Sequence, residues 1–142
     1  KEITTEGGLN LYKKKKKLKN FLKKLNKKKI RTSLFINPKS SDVRLAKLIG
    51  TNCIEIHTGK ISNKIKKGQL YNKEFNNIKK LAKLANYLNL EVHAGHGMDF
   101  ETAKVLSKIN EIEEFNIGHF IIGNSIFSGF KNTIRKFKKI LK

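Results

Sequence analysis

Leu90-Glu91-Val92-His93-Ala94-Gly95-His96-Gly97 is the stretch that decides the fold. Leu90 to His93 reads as a short strand, and it runs straight into a Gly-His-Gly turn. Glycine on both sides of His96 opens backbone conformations closed to other residues and lets the chain come close to a ligand. The imidazole then stands on a strand-end loop, where a group titrating near neutral pH serves as an acid or a base. One such turn is a weak signal. Three other stretches of this chain end in the same way.

The first is Arg31 to Asn37, a strand closed by Pro38. The second is Cys53-Ile54-Glu55-Ile56-His57-Thr58-Gly59, and the third is the strand within Glu113 to His119, ending Asn116-Ile117-Gly118-His119. Alternation in the second puts Ile54 and Ile56 on one face, with Cys53, Glu55 and His57 on the other. In a closed barrel that polar face points into the lumen, where a charge needs a reason to be present. Helical spacing fills the intervals. Leu11 to about Asn26 carries Leu11, Leu18, Phe21, Leu22 and Leu25 on one stripe. Val43–Ile49 has Ser40, Ser41 and Asp42 as candidate N-caps and Gly50 as its stop. Residues 60–71 read as a basic loop. Asn72 to Tyr87 is amphipathic, with Phe75, Ile78, Leu81, Ala82, Ala85 and Leu88 inward. A helix is expected from Phe100 to about Ile109. A last one is expected from Ser125 to Leu141, with Ile126, Phe130, Ile134, Phe137 and Leu141 facing the core and a turn at Ile122–Asn124 opening it. Residues 1–10 read as a loop broken at Gly7-Gly8.

Strands alternating with helices over short spacers argue for parallel βα units. Neither a Gly-x-Gly-x-x-Gly turn nor a Walker-type phosphate loop follows a strand, which argues against a nucleotide-binding fold. Polar, glycine-rich ends on successive strands are what a (β/α)8 barrel shows at its catalytic face. Four units make half of one.

The 142 residues suffice for one domain with a real core. A balance of 32 Lys+Arg against 11 Asp+Glu, net +21, raises the question of a polyanionic partner. The excess is almost all lysine, with Arg31, Arg44 and Arg135 the only arginines, as expected where A+T-rich codons fill permissive surface positions. Nucleic-acid readers lean on arginine forks and aromatic platforms, and neither is evident. No nucleic-acid partner is expected. The single cysteine, Cys53, excludes an internal disulfide framework and fits a reducing compartment. No apolar run is long enough for a bilayer and no signal-peptide core is present, so no membrane is expected and the address is cytoplasmic.

Taken together, Thr4-Thr5-Glu6-Gly7-Gly8-Leu9, Ser33-Leu34-Phe35-Ile36, Ile54-Glu55-Ile56-His57-Thr58-Gly59, Glu91-Val92-His93-Ala94-Gly95-His96-Gly97 and Glu114-Phe115-Asn116-Ile117-Gly118-His119 resemble the pyridoxine 5′-phosphate synthase family of vitamin B6 biosynthesis. Their order and spacing fit over the whole chain. The resemblance implies a partial TIM (β/α)8 barrel, about strands five to eight with their helices, as the C-terminal portion of a single domain whose N-terminal half is absent. It implies the condensation of 3-amino-2-oxopropyl phosphate with 1-deoxy-D-xylulose 5-phosphate to pyridoxine 5′-phosphate, phosphate and water, without metal or organic cofactor. By resemblance His96 is the acid/base histidine and proton donor, and Glu55 a transition-state carboxylate. Thr4 and Gly97 bind substrate, and Gly118-His119 holds a substrate phosphate. A homo-oligomer, an octamer in many bacteria, is implied as well. The chain departs from the family at Asn37 (usually aspartate), Ile61 (often tyrosine) and Asn124 (often arginine). The family's first-half acid/base residues have no counterpart, so the 142 residues are expected to be inactive alone.

Three rival readings have their own signatures. His57, His93, His96 and His119 with Glu55 resemble a zinc donor set. A different phosphate-binding TIM-barrel enzyme would share the same face. A basic nucleic-acid-binding domain would show steep salt dependence of binding.

Overall fold

A computed structural model describes residues 7–141; Thr4, with the rest of its Thr-Thr-Glu motif, lies outside the described residues. In chain order the elements are α1 (Lys15–Lys27), β1 (Ser33–Ile36), α2 (Ser40–Ile49), β2 (Cys53–His57), α3 (Gly59–Lys66), α4 (Asn72–Tyr87), β3 (Glu91–Gly95), α5 (Phe100–Leu106), β4 (Glu114–Asn116), α6 (His119–Ser128) and α7 (Phe130–Ile140). The four strands form one parallel sheet in sequence order, β1-β2-β3-β4. Right-handed crossovers that always step the same way place every connecting helix on the same side of the sheet. This is a consecutive run of βα units, an α/β fold consistent with part of a TIM barrel, and not the two-sided layout of a doubly wound sheet.

Alternation along the strands sorts the two faces. Leu34, Ile36, Ile54, Ile56, Val92 and Ala94 are buried in one core with Val43, Ala46, Ile49, Ile78, Leu81, Ala82 and Ala85 from α2 and α4. Residues of opposite parity, among them Phe35, Glu55, His57, His93 and Asn116, occupy the other face. The predicted stripe of α4 and the alternation of β2 are therefore as expected. Gly50 ends α2 in the left-handed conformation, φ 91°. The N-terminus of α2 differs: it begins at Ser40 after Lys39, with no side-chain cap, and Ser41 donates to Asp42 instead.

Two expectations are corrected. Residues 60–71 are not simply a basic loop. Ile61 and Ile65, four apart, give α3 an apolar edge on the core, and its lysines spread around it. Nor is the last helix continuous. Gly129 adopts φ 79°, ψ 144°, which ends α6 and starts α7 in a new direction. Ile122–Asn124 accordingly lie inside α6 rather than in a turn. Phe137 is buried as expected, but Ile126 is 78% and Phe130 60% exposed.

Glu74 at the start of α4 ties the two helices of the β2–β3 crossover together. It accepts from Lys64 Nζ at 2.8 Å and faces Lys60 Nζ at 3.3 Å, and these ammonium groups hold its carboxyl at about 2. A carboxylate with a lowered folded pKa stabilises the fold above its unfolded value and loses that contribution as pH falls towards its folded one. Between about pH 4.5 and 2, Glu74→Gln is expected to flatten the acid-induced fall in Tm. An identical pH dependence in variant and parent would contradict this role.

Candidate active site

Thr58 begins the construction. Its hydroxyl is fully buried and lies 2.7 Å from the carbonyl oxygens of both Gly95 and His96, sharing its single proton between them. Its backbone N–H also meets the Gly95 carbonyl at 2.9 Å. The end of β3 is thus fastened to the end of β2. The following turn is left-handed at two successive residues, His96 at φ 80° and Gly97 at φ 73°. Gly97 is suited to this, whereas His96 carries real strain, held by the bonds around it. The turn expected from Gly-His-Gly is present, with the unusual backbone at the histidine itself.

His96 stacks on His57, ring centroids 4.6 Å apart at 27°, and Phe35 packs against both. The Gly59 N–H donates to His57 Nδ1 at 3.2 Å, which assigns the His57 proton to Nε2 in the neutral ring. Gly59 must be glycine: an added Cβ would stand 2.6 Å from His57 Cε1 and 3.1 Å from His96 Cδ2. Gly95 is constrained in the same way, since a Cβ there would overlap the Glu55 carboxylate.

Glu55 lies half-buried across Gly95, and Asn116 Nδ2 donates to its Oε2 at 2.9 Å. Burial pushes the Glu55 carboxyl above the ordinary carboxylate range, opposed by the Asn116 hydrogen bond and by nearby His93. Beyond β4, Gly118 caps the N-terminus of α6 and His119 opens that helix. A cavity of about 650 Å³ is lined by Glu55, His96, Gly97, Gly118 and His119 together. Every predicted site residue within the described part of the chain therefore faces one space. Lys66, Asn116 and Phe120 also line it and were not singled out from sequence. Asn116 shares the parity of Glu114 on β4 and was legible in principle. Lys66 was hidden by reading its helix as a loop.

The zinc donor set proposed as a rival does not converge. Among the described residues, the trio whose donor atoms lie within 4.8 Å of one another is Cys53, Glu91 and His93, at the opening ends of β2 and β3. Arg31 already supplies a cation there: its Nε donates to Cys53 Sγ at 3.0 Å, its Nη2 pairs with Glu91, and the same nitrogen is 3.4 Å from His93 Nε2. The His93 hydrogen bond at 2.9 Å, with Arg31 behind it, holds Glu91 below the ordinary range. Burial pushes the Cys53 thiol up.

Asn37, Ile61 and Asn124, the positions read from sequence as departures, have visible uses. Asn37 Oδ1 accepts from the Gly8 N–H at 3.0 Å, joining the segment before α1 to β1. Ile61 is part of the core. Asn124 Nδ2 donates to Ser128 Oγ at 2.7 Å and Thr133 Oγ1 at 2.9 Å, bracing the corner at Gly129.

A strand carboxylate, a strand-end histidine and a helix N-terminus around one cavity make an α/β site consistent with the C-terminal rim of part of a (β/α) barrel. Within that class the chain belongs to a single family: the model described as pyridoxal phosphate biosynthesis protein PdxJ matches residues 1–142. Pyridoxine 5′-phosphate synthase of Pelagibacter ubique is 57% identical over 140 residues, covering 99% of this chain and 59% of that protein. The enzyme of the same name from a Sulfurihydrogenibium species is 42% identical over 140 residues, covering 99% and 57%. That of Campylobacter fetus is 38% identical over 163 aligned positions, covering 99% and 63%. The chain spans about three-fifths of the length of these relatives.

Proposed function

We propose that this chain forms the C-terminal half of a pyridoxine 5′-phosphate synthase, contributing about strands five to eight of a TIM barrel and one side of its active site. The convergence of Glu55, His96, Gly97, Gly118 and His119 on one cavity carries the proposal. The substrates are those the family resemblance implies: 3-amino-2-oxopropyl phosphate and 1-deoxy-D-xylulose 5-phosphate are joined and closed to the pyridine ring. Amine and ketone condense to an imine with loss of water, the 1-deoxy-D-xylulose 5-phosphate moiety eliminates its phosphate as inorganic phosphate, and proton shifts, carbon–carbon bond formation and a second loss of water close the ring. His96 moves the protons, because its imidazole is exposed on a braced turn at the cavity and can both give and take a proton. Glu55 stabilises positive charge on the nitrogen as the imine forms. Gly118 and His119, at the α6 N-terminus, receive a phosphate through backbone N–H groups and the helix dipole. Thr4 and Gly97 bind substrate.

Exposed Ile122, Ile126, Phe127 and Phe130 on α6 and the start of α7, with β4 as an outer strand of the open sheet, support closure by the further polypeptide the relatives possess. The 142 residues alone give no turnover, and the complete enzyme is a cytoplasmic homo-oligomer, the octamer that the family resemblance implies. No helix among the described residues is long and apolar enough to cross a membrane. The full-length gene product, given both substrates, should form pyridoxine 5′-phosphate, read by mass spectrometry; no product under saturating substrates would refute the function.

A further inference from the structure

We propose that Lys66 is the fixed cation of this cavity and binds the phosphate of a phosphate monoester there. The assignment rests on the cavity being the phosphate-handling site proposed above, and it adds to that site a binding residue not assigned there. Lys66 is the last residue of α3 and lines the cavity beside His96, Gly97 and His119. Its Nζ donates to the Gly97 carbonyl at 2.9 Å, which uses one of three ammonium hydrogens and leaves two for a ligand. Helix α3 spans the back of the turn, its first residue against the rings of His57 and His96 and its last at Gly97. A lysine in a final helical turn is also favoured by the helix dipole.

Charge makes the case specific. A phosphate monoester brings about −1.5 to −2 at pH 7 into a space that already contains the Glu55 carboxyl. The N-terminus of α6 offers roughly half a positive charge, and histidines lose theirs as the pH rises. An ammonium supplies a full, compact charge. The neighbouring lysines of α3 are engaged, since Lys60 and Lys64 face Glu74. Among the described residues Lys66 has no carboxylate at ion-pair distance, so its charge remains for an incoming anion.

The test is titration calorimetry of the full-length gene product with inorganic phosphate. Lys66→Met should weaken binding about tenfold, as for one lost charge-assisted hydrogen bond, and Lys66→Arg should stay within about threefold. Lys60→Met, on the same helix, should bind as the parent does. In steady-state kinetics Lys66→Met should raise KM for a phosphorylated substrate with kcat within about twofold, the pattern of lost uniform binding. Parental phosphate affinity in Lys66→Met, no phosphate binding by the parent, or a fall in kcat at constant KM would each overturn the assignment. Ring closure that proceeds with phosphate affinity indifferent to Lys66 would sink this assignment alone. Lys66-dependent phosphate binding in a protein that makes no pyridoxine 5′-phosphate would sink the proposed function alone.

Discussion

His96→Asn in the full-length gene product is expected to lower kcat for pyridoxine 5′-phosphate formation by about 10²–10⁴-fold, the range for loss of a positioned acid/base group. Asparagine is the informative replacement because it tolerates the left-handed region better than other side chains, and position 96 sits at φ 80°. The carbonyls of residues 95–97 remain tied by Thr58 and Lys66, bonds that do not involve the imidazole. Melting temperature should therefore stay near that of the parent while turnover collapses. Near-parental kcat would reduce His96 to a turn residue stacked on His57.

Glu55→Gln should separate activity from stability in opposite directions. Turnover falls by about 10²–10³-fold, because a neutral amide does not stabilise a developing cation as a carboxylate does. Stability at neutral pH rises. A carboxyl whose folded pKa is raised binds its proton more tightly in the folded state, so the ionised form opposes folding once the pH exceeds both values. Glutamine avoids that cost and still offers an oxygen to Asn116 Nδ2. Thermal melts at pH 5 and 7.5 should show the variant's advantage larger at pH 7.5. A lower Tm for Glu55→Gln at both pH values would mean that the carboxylate is satisfied in the fold, and the burial argument would fail.

Much of this site was legible because strand periodicity is binary. Once Ile54 and Ile56 are assigned to the core, Glu55 and His57 are committed to the opposite face, and register with β3 brings in His93 and Gly95. The Gly-His-Gly turn announced itself by composition. Helix α3 did not, because lysine-rich helices and lysine-rich loops look alike until the Ile61–Ile65 pair is weighed against its surroundings. Lys66 was lost with it. The break at Gly129 was missed because apolar residues continue on both sides, and periodicity reports an apolar stripe without reporting whether anything covers it. Helix α6 has no buried residue among its apolar side chains, which local sequence does not disclose.

The one-to-one register of β2 with β3 ties folding fidelity to chemistry. Sliding β2 by a single position would drive Glu55 under the helices and turn Ile54 out to the polar face, and sliding β3 would do the same to His93 and Val92. Such a chain would lose its dry layer and its reactive rim in the same movement. Misaligned conformers would therefore be unstable as well as stripped of the site, and one alternation both builds the cavity and screens out faulty strand pairing.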